Sequence, residues 1–431
     1  MPVRGAEQPE SVRADRIPST PRAKYDMPDT ELLTAEDLLA RFRALDDFLL
    51  SHQHLWRPKP FTQLQLGWEA QHPELGRWLR ARSLAQADAA HNQPHLLAAP
   101  EPFPELAHAT TTLSQLPALP ERAAGALKPR LSVDIPGRKW QQIQAFGRCL
   151  QFNKQPQHWL DWCAGKGHLG RYLAHDQGEL TCLERDASLV ASGQRLSDKL
   201  GLPATHIELD VMHPLAAAHV TAGQTPVALH ACGDLHSRLM QLASAAGCAQ
   251  LAIAPCCYNR TRDEQYQPLS PAARASALQL SRDDLGLLQC ETVTAGLRVR
   301  KQRDLSMARR LGFDLLQRRI CGTEEYMNTP PLPPSWLQRP FSEYCLELAR
   351  LKNLPLSGAH AWSAIEAAGN QRLTVVRNLE LLRNLFRRPL EIWLILDRAL
   401  YLDAQGYHVR LGSFCDPHLT PRNLLLLAER P

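Results

Sequence analysis

The chain has 431 residues, of which 44% are hydrophobic and 22% charged, a composition typical of a globular protein with a substantial core. The formal net charge of +5 is too small to require a nucleic-acid or membrane partner, and no apolar run reaches the ~18 residues of a membrane-spanning helix. The eleven cysteines do not form the regular framework of a small disulfide-bonded domain. We therefore expect reduced thiols in a cytoplasmic protein that does not enter a membrane.

The N-terminal part of the sequence predicts a tail followed by helices. Residues 1–30 are polar and rich in proline, which indicates disorder, and they lack the apolar centre of a secretory signal. Residues 31–128 predict a helical region, which begins after a capping-box pattern at Thr34–Asp37 and continues with helical sequence over Phe61–Leu84. From about residue 89, prolines among alanines predict an irregular connector at the end of this region.

The remainder of the chain predicts an α/β fold with a helical insertion before its last two strands. Residues 129–270 alternate apolar strands with amphipathic helices, which is typical of a mostly parallel sheet covered on both faces. Residues 271–400 are mostly helical, and residues 401–431 predict an antiparallel hairpin that completes the sheet. The predicted strands lie near 158–163, 180–184, 205–210, 226–231, 250–254, 407–414 and 423–428.

A glycine-containing turn follows the first predicted strand. Asp161 precedes Cys163, Gly165 and Gly167, and a helix then begins. Glycine allows unusual backbone torsions and the close approach of a ligand. A dinucleotide-binding loop has a different glycine spacing, and a carboxylate before the turn would repel a pyrophosphate. The acid instead suits a cationic ligand with an ammonium and a sulfonium, such as S-adenosylmethionine.

The next two predicted strands also end in acids. Glu184 lies about 20 residues beyond the turn, where a carboxylate can accept hydrogen bonds from ribose hydroxyls. Asp210 ends the third strand and can accept from an adenine amino group. Each acid alone is as compatible with a solvated strand end as with a ligand contact. Three acids after three successive strands favour a nucleoside pocket.

These features resemble class I S-adenosylmethionine-dependent methyltransferases with a Rossmann-like sheet. The resemblance is to the group that includes eukaryotic methyltransferase-like proteins and the glutathione S-transferase C-terminal-domain-containing protein. It covers roughly 130–431 and depends on the following segments: Asp161–Gly170, Leu229–Leu235, Pro255–Tyr258, Leu396–Arg398 and Asp416–Asn423. It implies that Asp161, Gly165 and Gly167 hold the methionine end, Glu184 the ribose and Asp210 the adenine. Cys163 replaces the first glycine of the usual loop and restricts its backbone.

The loops after the fourth and fifth strands supply the candidate catalytic residues. In class I methyltransferases the acceptor is positioned after the fourth strand, where this chain has His230, a candidate base and cofactor contact, and Asp234, which either orients an acceptor or caps a helix. After the fifth strand, Tyr258 and Asn259 could stack on and hydrogen-bond a flat acceptor.

The cysteines of these two loops admit three interpretations. Cys256 could be a nucleophile, or it could join His230, Cys232 and Cys257 around a metal. Buried, purely structural thiols are the simplest alternative. The sequence alone does not establish that these residues bind a metal.

We expect a methyltransferase that uses S-adenosylmethionine and acts on nucleic acid, with RNA favoured. A basic stretch over 298–319 could follow a phosphate backbone, although a solvated helical face explains it as well. The alternatives are a cofactor-binding scaffold or regulatory subunit with weak activity, and a methyltransferase acting on a protein or a small molecule.

Overall fold

The computed structural model describes residues 33–123, 129–176, 178–290, 296–356 and 360–431; the predicted disordered tail over 1–30 lies outside them. The strands of the described residues are β1 (His158–Trp162), β2 (Glu179–Glu184), β3 (Ala204–Glu208), β4 (Thr225–Cys232), β5 (Gln250–Cys256), β6 (His408–Ser413) and β7 (Leu424–Glu429). Each begins and ends within two residues of a predicted strand.

The helices divide into a group before the sheet, connections within it, and a long group before β6. They are α1 (Ala35–Ser51), α2 (Gln53–Trp56), α3 (Trp68–Gln71), α4 (Pro73–Arg80), α5 (Leu84–Ala90), α6 (Phe103–Leu113), α7 (Gly137–Cys149), α8 (His168–Ala174), α9 (Ala187–Asp198), α10 (Asp234–Ala245), α11 (Pro271–Ala275), α12 (Arg282–Leu285), α13 (Leu297–Cys321), α14 (Phe341–Leu351), α15 (Trp362–Leu385) and α16 (Arg387–Ala404). The described residues include no helix long and apolar enough to cross a membrane.

One sheet of seven strands organises the fold, in the order β3-β2-β1-β4-β5-β7-β6. β1 to β5 are parallel, whereas β7 pairs antiparallel with both β5 and β6. This confirms the predicted Rossmann-like sheet with its antiparallel C-terminal hairpin. The strand order reverses between β1 and β4, and ligands of open α/β sheets bind beyond the carboxyl ends of the strands at such a reversal.

The helices of the N-terminal region and of the insertion form one layer against the sheet. α1 packs along α16, where the rings of Phe42 and Trp393 lie 5.1 Å apart, and both residues share a continuous apolar core with Leu160 of β1 and Ile253 of β5. Two segments that the sequence separates by more than 250 residues therefore cover the same face of the sheet.

The predicted connector over 89–128 contains a helix that the sequence analysis missed. α6 begins at Phe103, between Pro102 and Pro104, and proline is tolerated in the first helical turn because the backbone N–H groups there have no helical partner. Phe103 and Leu106 are buried and supply the packing energy. The prolines mark the start of this helix and do not prevent it.

Candidate functional site

The turn after β1 adopts the open geometry that its glycines predict. Gly165 and Gly167 have φ angles of 57° and 70°. A Cβ on Gly167 would lie 2.5 Å from the His206 ring and 2.9 Å from the Cys182 sulfur, so packing excludes a side chain there. A Cβ on Gly165 would meet no atom within 4 Å. Gly165 therefore faces open space beyond the carboxyl end of β1, where a ligand can approach the backbone.

Three non-glycine residues take left-handed conformations where β1, β4 and β5 end. Cys163, His230 and Cys257 have φ angles of 58°, 73° and 44°. Such a conformation costs an L-residue about 1–2 kcal/mol, and residues of this kind cluster at functional sites. Cys163 thus adopts the conformation of the glycine that it replaces, despite the restriction expected from its side chain.

Asp161 is 3% exposed and accepts a hydrogen bond from the Gly170 N–H to Oδ2 at 2.9 Å. This contact ties the first turn of α8 to the sheet. Burial raises the pKa of Asp161 to about 6, although the Gly170 contact and the charges of Lys139 and Arg171 oppose the shift. A buried carboxylate of this kind would be stabilised by a cation bound next to it.

The other two predicted cofactor acids lie around the same turn. Glu184 accepts the Gly165 N–H at 2.9 Å through Oε2, so that it joins the turns after β1 and β2. Asp210 is exposed and accepts the Met212 N–H. Burial, followed by the negative charges of Glu184, Asp161 and Asp210 among others, raises the pKa of Cys163 to about 12. The negative charges of all three acids therefore act on the Cys163 thiol.

His230 lies in a bulge of β4. Leu229 pairs with Ala254 and Cys232 with Cys256, so two residues of β4 oppose one of β5. The His230 Nε2 lies 2.9 Å from Oε1 of Gln142, a buried residue of α7 that the sequence analysis missed. Surrounding protein and the Lys139 charge lower the pKa of His230, which favours the neutral ring required of a base.

The glycine before Asp234 explains how the loops after β4 and β5 meet. A Cβ on Gly233 would lie 1.9 Å from the Arg260 carbonyl oxygen, so only glycine fits. Asp234 opens α10 without capping it by its side chain, and its Oδ2 accepts the Arg262 N–H at 2.8 Å. The predicted capping role is therefore wrong, and Asp234 instead holds the loop after β5 in place.

The cysteines after β4 and β5 converge. The sulfurs of Cys232, Cys256 and Cys257 all lie within 4.8 Å of one another, and those of Cys232 and Cys256 are 3.5 Å apart. The ring nitrogens of His230 do not belong to this group. Of the four residues that the sequence offered as metal ligands, the structure thus brings three together.

Tyr258 and Asn259 differ in their exposure to solvent. Tyr258 is 2% exposed, and its ring packs between the guanidinium of Arg398, 4.8 Å away, and the ring of His236. A ring enclosed in this way does not present a face to an acceptor, so the stacking interpretation of Tyr258 is replaced by a structural one. Asn259 is half-buried and lies nearer to solvent.

A buried polar network fixes this edge of the sheet to α16. Arg398 donates through Nε to Nε2 of His236 at 2.7 Å, and His236 donates through Nδ1 to the Ala231 carbonyl oxygen in the bulge. The adjacent Asp397 accepts the Leu269 and Ser270 N–H groups. Neighbouring opposite charges between two apolar runs of α16 are the signal that could have identified this pair.

A cleft of about 690 Å³ opens beside the same edge. It is lined by residues of α6, α15, α16 and the β6–β7 loop, including Asn384, Arg388, Arg422 and Asn423. The charge of Arg422 also acts on Cys257. Asn384 is 3% exposed, and neither Nδ2 nor Oδ1 of its side chain has a hydrogen-bond partner among the described residues. A buried amide needs hydrogen-bond partners, which a water molecule or a ligand in the cleft can supply.

The basic stretch is mostly engaged within the fold. Arg309 donates to the Trp336 and Arg339 carbonyl oxygens, Arg310 to Thr329 and Pro330, and Arg318 pairs with Asp314 inside the protein. The exposed cations of the stretch are Arg298, Lys301 and Arg319. Only these remain suited to contact a phosphate backbone.

Part of the chain is similar to known proteins. Residues 138–264 match a family model described as a methyltransferase domain. The X-ray structure of YjhP from E. coli matches at 20% identity with a TM-score of 0.22, and the match covers 29% of this chain and about half (52%) of YjhP. The matched residues of the family model contain β1 to β5 and the turns after them. Residues 138–264 are therefore similar to methyltransferase domains.

Proposed function

We propose that the protein transfers a methyl group from S-adenosylmethionine to a nucleic acid, with RNA as the favoured acceptor. The observation that carries the first half is the open turn at Gly165, whose N–H donates to Glu184 and which follows the buried Asp161. Asp161 suits the ammonium, Glu184 the ribose hydroxyls and Asp210 the adenine amino group. When bound, S-adenosylmethionine supplies an electrophilic methyl group on its sulfonium.

The chain's own residues supply positioning and a base. His230, held by Gln142 and kept neutral, can accept a proton from an acceptor that approaches beyond β4. Gly233 and Asp234 fix the loop after β5 against that position. Because methyl transfer is an in-line displacement, holding donor and acceptor in line provides much of the rate enhancement.

The cleft beside β5 supports a nucleotide acceptor. The Asn384 amide offers N–H donors and an acceptor oxygen, as do the side chains that read the edge of a base. Arg388 and Arg422 add positive charge to the cleft, where both contact Glu391. The central arginines of the basic stretch are likewise engaged in the fold, so the Asn384 amide is the observation that favours a nucleotide acceptor.

Binding of S-adenosylmethionine can be tested with two matched glycine variants. Gly165 and Gly201 both have positive φ, and at both positions a Cβ would meet no atom within 4 Å, but Gly201 lies before β3, at the opposite edge of the sheet. In calorimetric titration we expect Gly165→Leu to weaken binding at least about tenfold, or ~1.4 kcal/mol, and Gly201→Leu to leave it unchanged. Equal binding by both variants, or none by the unaltered chain, would exclude this donor site.

The acceptor can be tested with labelled S-adenosylmethionine and total cellular RNA or protein. We expect label in RNA, and at least about tenfold less with Asn384→Leu at unchanged or increased stability, because this change removes an unpaired buried amide. Asn378, on the same helix, is fully hydrogen-bonded, so Asn378→Leu should instead destabilise the fold. Label in protein alone would contradict the RNA acceptor, and cofactor binding without any transfer would favour the scaffold.

A further inference from the structure

We propose that Cys232, Cys256 and Cys257 bind a soft divalent cation, best matched by Zn²⁺, through three thiolates. The site lies at the carboxyl ends of β4 and β5. Thiolates are the preferred ligands of soft cations, and three protein ligands leave a fourth position for water or another molecule.

Two departures from regular strand geometry bring the three sulfurs together. Successive side chains of a strand point to opposite faces, so Cys256 and Cys257 would normally diverge. The φ of 44° at Cys257 breaks that alternation, and its thiol joins that of Cys256. On the neighbouring strand, the bulge at His230 shifts the register so that Cys232 pairs with Cys256. Each departure costs conformational free energy, and together they bring the three sulfurs close to one another.

The distances fit tetrahedral coordination. Zinc–sulfur bonds of about 2.3 Å place the sulfurs of a tetrahedral site about 3.8 Å apart. Cys232 and Cys256 are 3.5 Å apart, and no sulfur of the group is more than 4.8 Å from another. Small side-chain rotations therefore suffice to form the site, and no backbone movement is needed.

The exposure of two of the thiols favours metal ligands over packed thiols. Cys232 and Cys257 are only half-buried, whereas thiols with a packing role in this chain, such as Cys182, are fully enclosed. The adjacent pair Cys256–Cys257 is also a poor disulfide partner, because bridging neighbours imposes strained geometry.

Metal binding by the full-length, reduced and chelator-stripped protein tests the proposal. We expect one equivalent of Zn²⁺ to bind in competition with a chromophoric chelator, and Co²⁺ to give the near-ultraviolet charge-transfer band of thiolate coordination. Cys257→Ser should weaken binding at least about 100-fold, since changes outside the ligand set already cost 10–100-fold. Cys248→Ser is the matched control, because this thiol is buried before β5 and outside the cluster.

Two results would overturn the site: no metal uptake by protein whose thiols all react with a thiol reagent, or uptake retained by the Cys232→Ser/Cys257→Ser double variant. Cys256 is 5% exposed, so its serine variant can fail to fold. Metal binding by the Cys257→Ser variant is therefore the decisive measurement, because Cys257 is half-buried. Circular dichroism confirms that this variant is folded. Metal binding is measured without methyl transfer. A failure of the metal proposal can therefore be distinguished from a failure of the proposed function.

Discussion

Asp161 serves two purposes because it lies at the end of β1, just before the turn that leads into α8. Its Oδ2 holds the Gly170 N–H, which fixes the angle at which α8 leaves the sheet. Gly170 allows this contact, since a Cβ there would lie 2.4 Å from the Leu180 side chain. The carboxylate is buried, and burial raises its pKa to about 6. A residue that orders the turn is thus also prepared for a cationic ligand.

This raised pKa predicts how cofactor binding depends on pH. A sulfonium ligand with an ammonium group favours the ionised carboxylate, so affinity for S-adenosylmethionine should fall by up to ~10-fold per pH unit as pH drops below about 6. Above that pH the carboxylate is already ionised and affinity should level off. Calorimetric titration between pH 5 and 8 measures the profile.

The control for the pH profile is Asp161→Asn, which keeps an oxygen to accept the Gly170 N–H but cannot ionise. We expect this variant to bind S-adenosylmethionine more weakly and to lose the inflection near pH 6. The other charged groups near Asp161 are Lys139, Arg171 and Glu184. An inflection that persists in the variant would assign the pH dependence to one of these neighbours.

At the scale of elements, the sequence predicts the strands well because hydrophobic runs and turn residues are local signals. All seven strands, and the connecting helices α8, α9 and α10, lie where the pattern places them. α6 does not follow from the pattern because proline usually interrupts a helix, whereas a proline in the first turn, as here, is compatible with one.

The candidate site was less predictable because it depends on how elements meet. The bulge at His230 exists only in the pairing of β4 with β5, and no local pattern specifies it. Gln142 reaches His230 from a helix 88 residues earlier in the chain. Tyr258 is adjacent to the clustered cysteines in sequence, yet Arg398 and His236 enclose it. The sequence therefore predicts which loops form the site, but it does not predict the direction in which their side chains point.

At the scale of the whole molecule, the helical layer and the sheet stabilise each other. Residues Leu32–Pro431 form one compact unit, and α16 lies at its centre with Trp393, Leu394 and Ile395 fully buried. The same helix carries Arg398, which connects through His236 to the bulge in β4. The geometry of the site therefore depends on the layer of helices that covers the sheet.

This dependence predicts that a cavity far from the site destabilises the sheet as well. Phe42 of α1 is 2% exposed and packs on Trp393, so Phe42→Ala should cost about 3–5 kcal/mol. Peptide-resolved hydrogen exchange in increasing denaturant should show α16 and β4 losing protection together, at a lower concentration than in the unaltered chain. Phe313→Ala provides a comparison, since Phe313 packs in a separate cluster with α14. In the contrary case, α16 of Phe42→Ala would lose protection while β4 kept the denaturant midpoint that it has in the unaltered chain. The two layers would then unfold independently, and control of the site by α16 would be excluded.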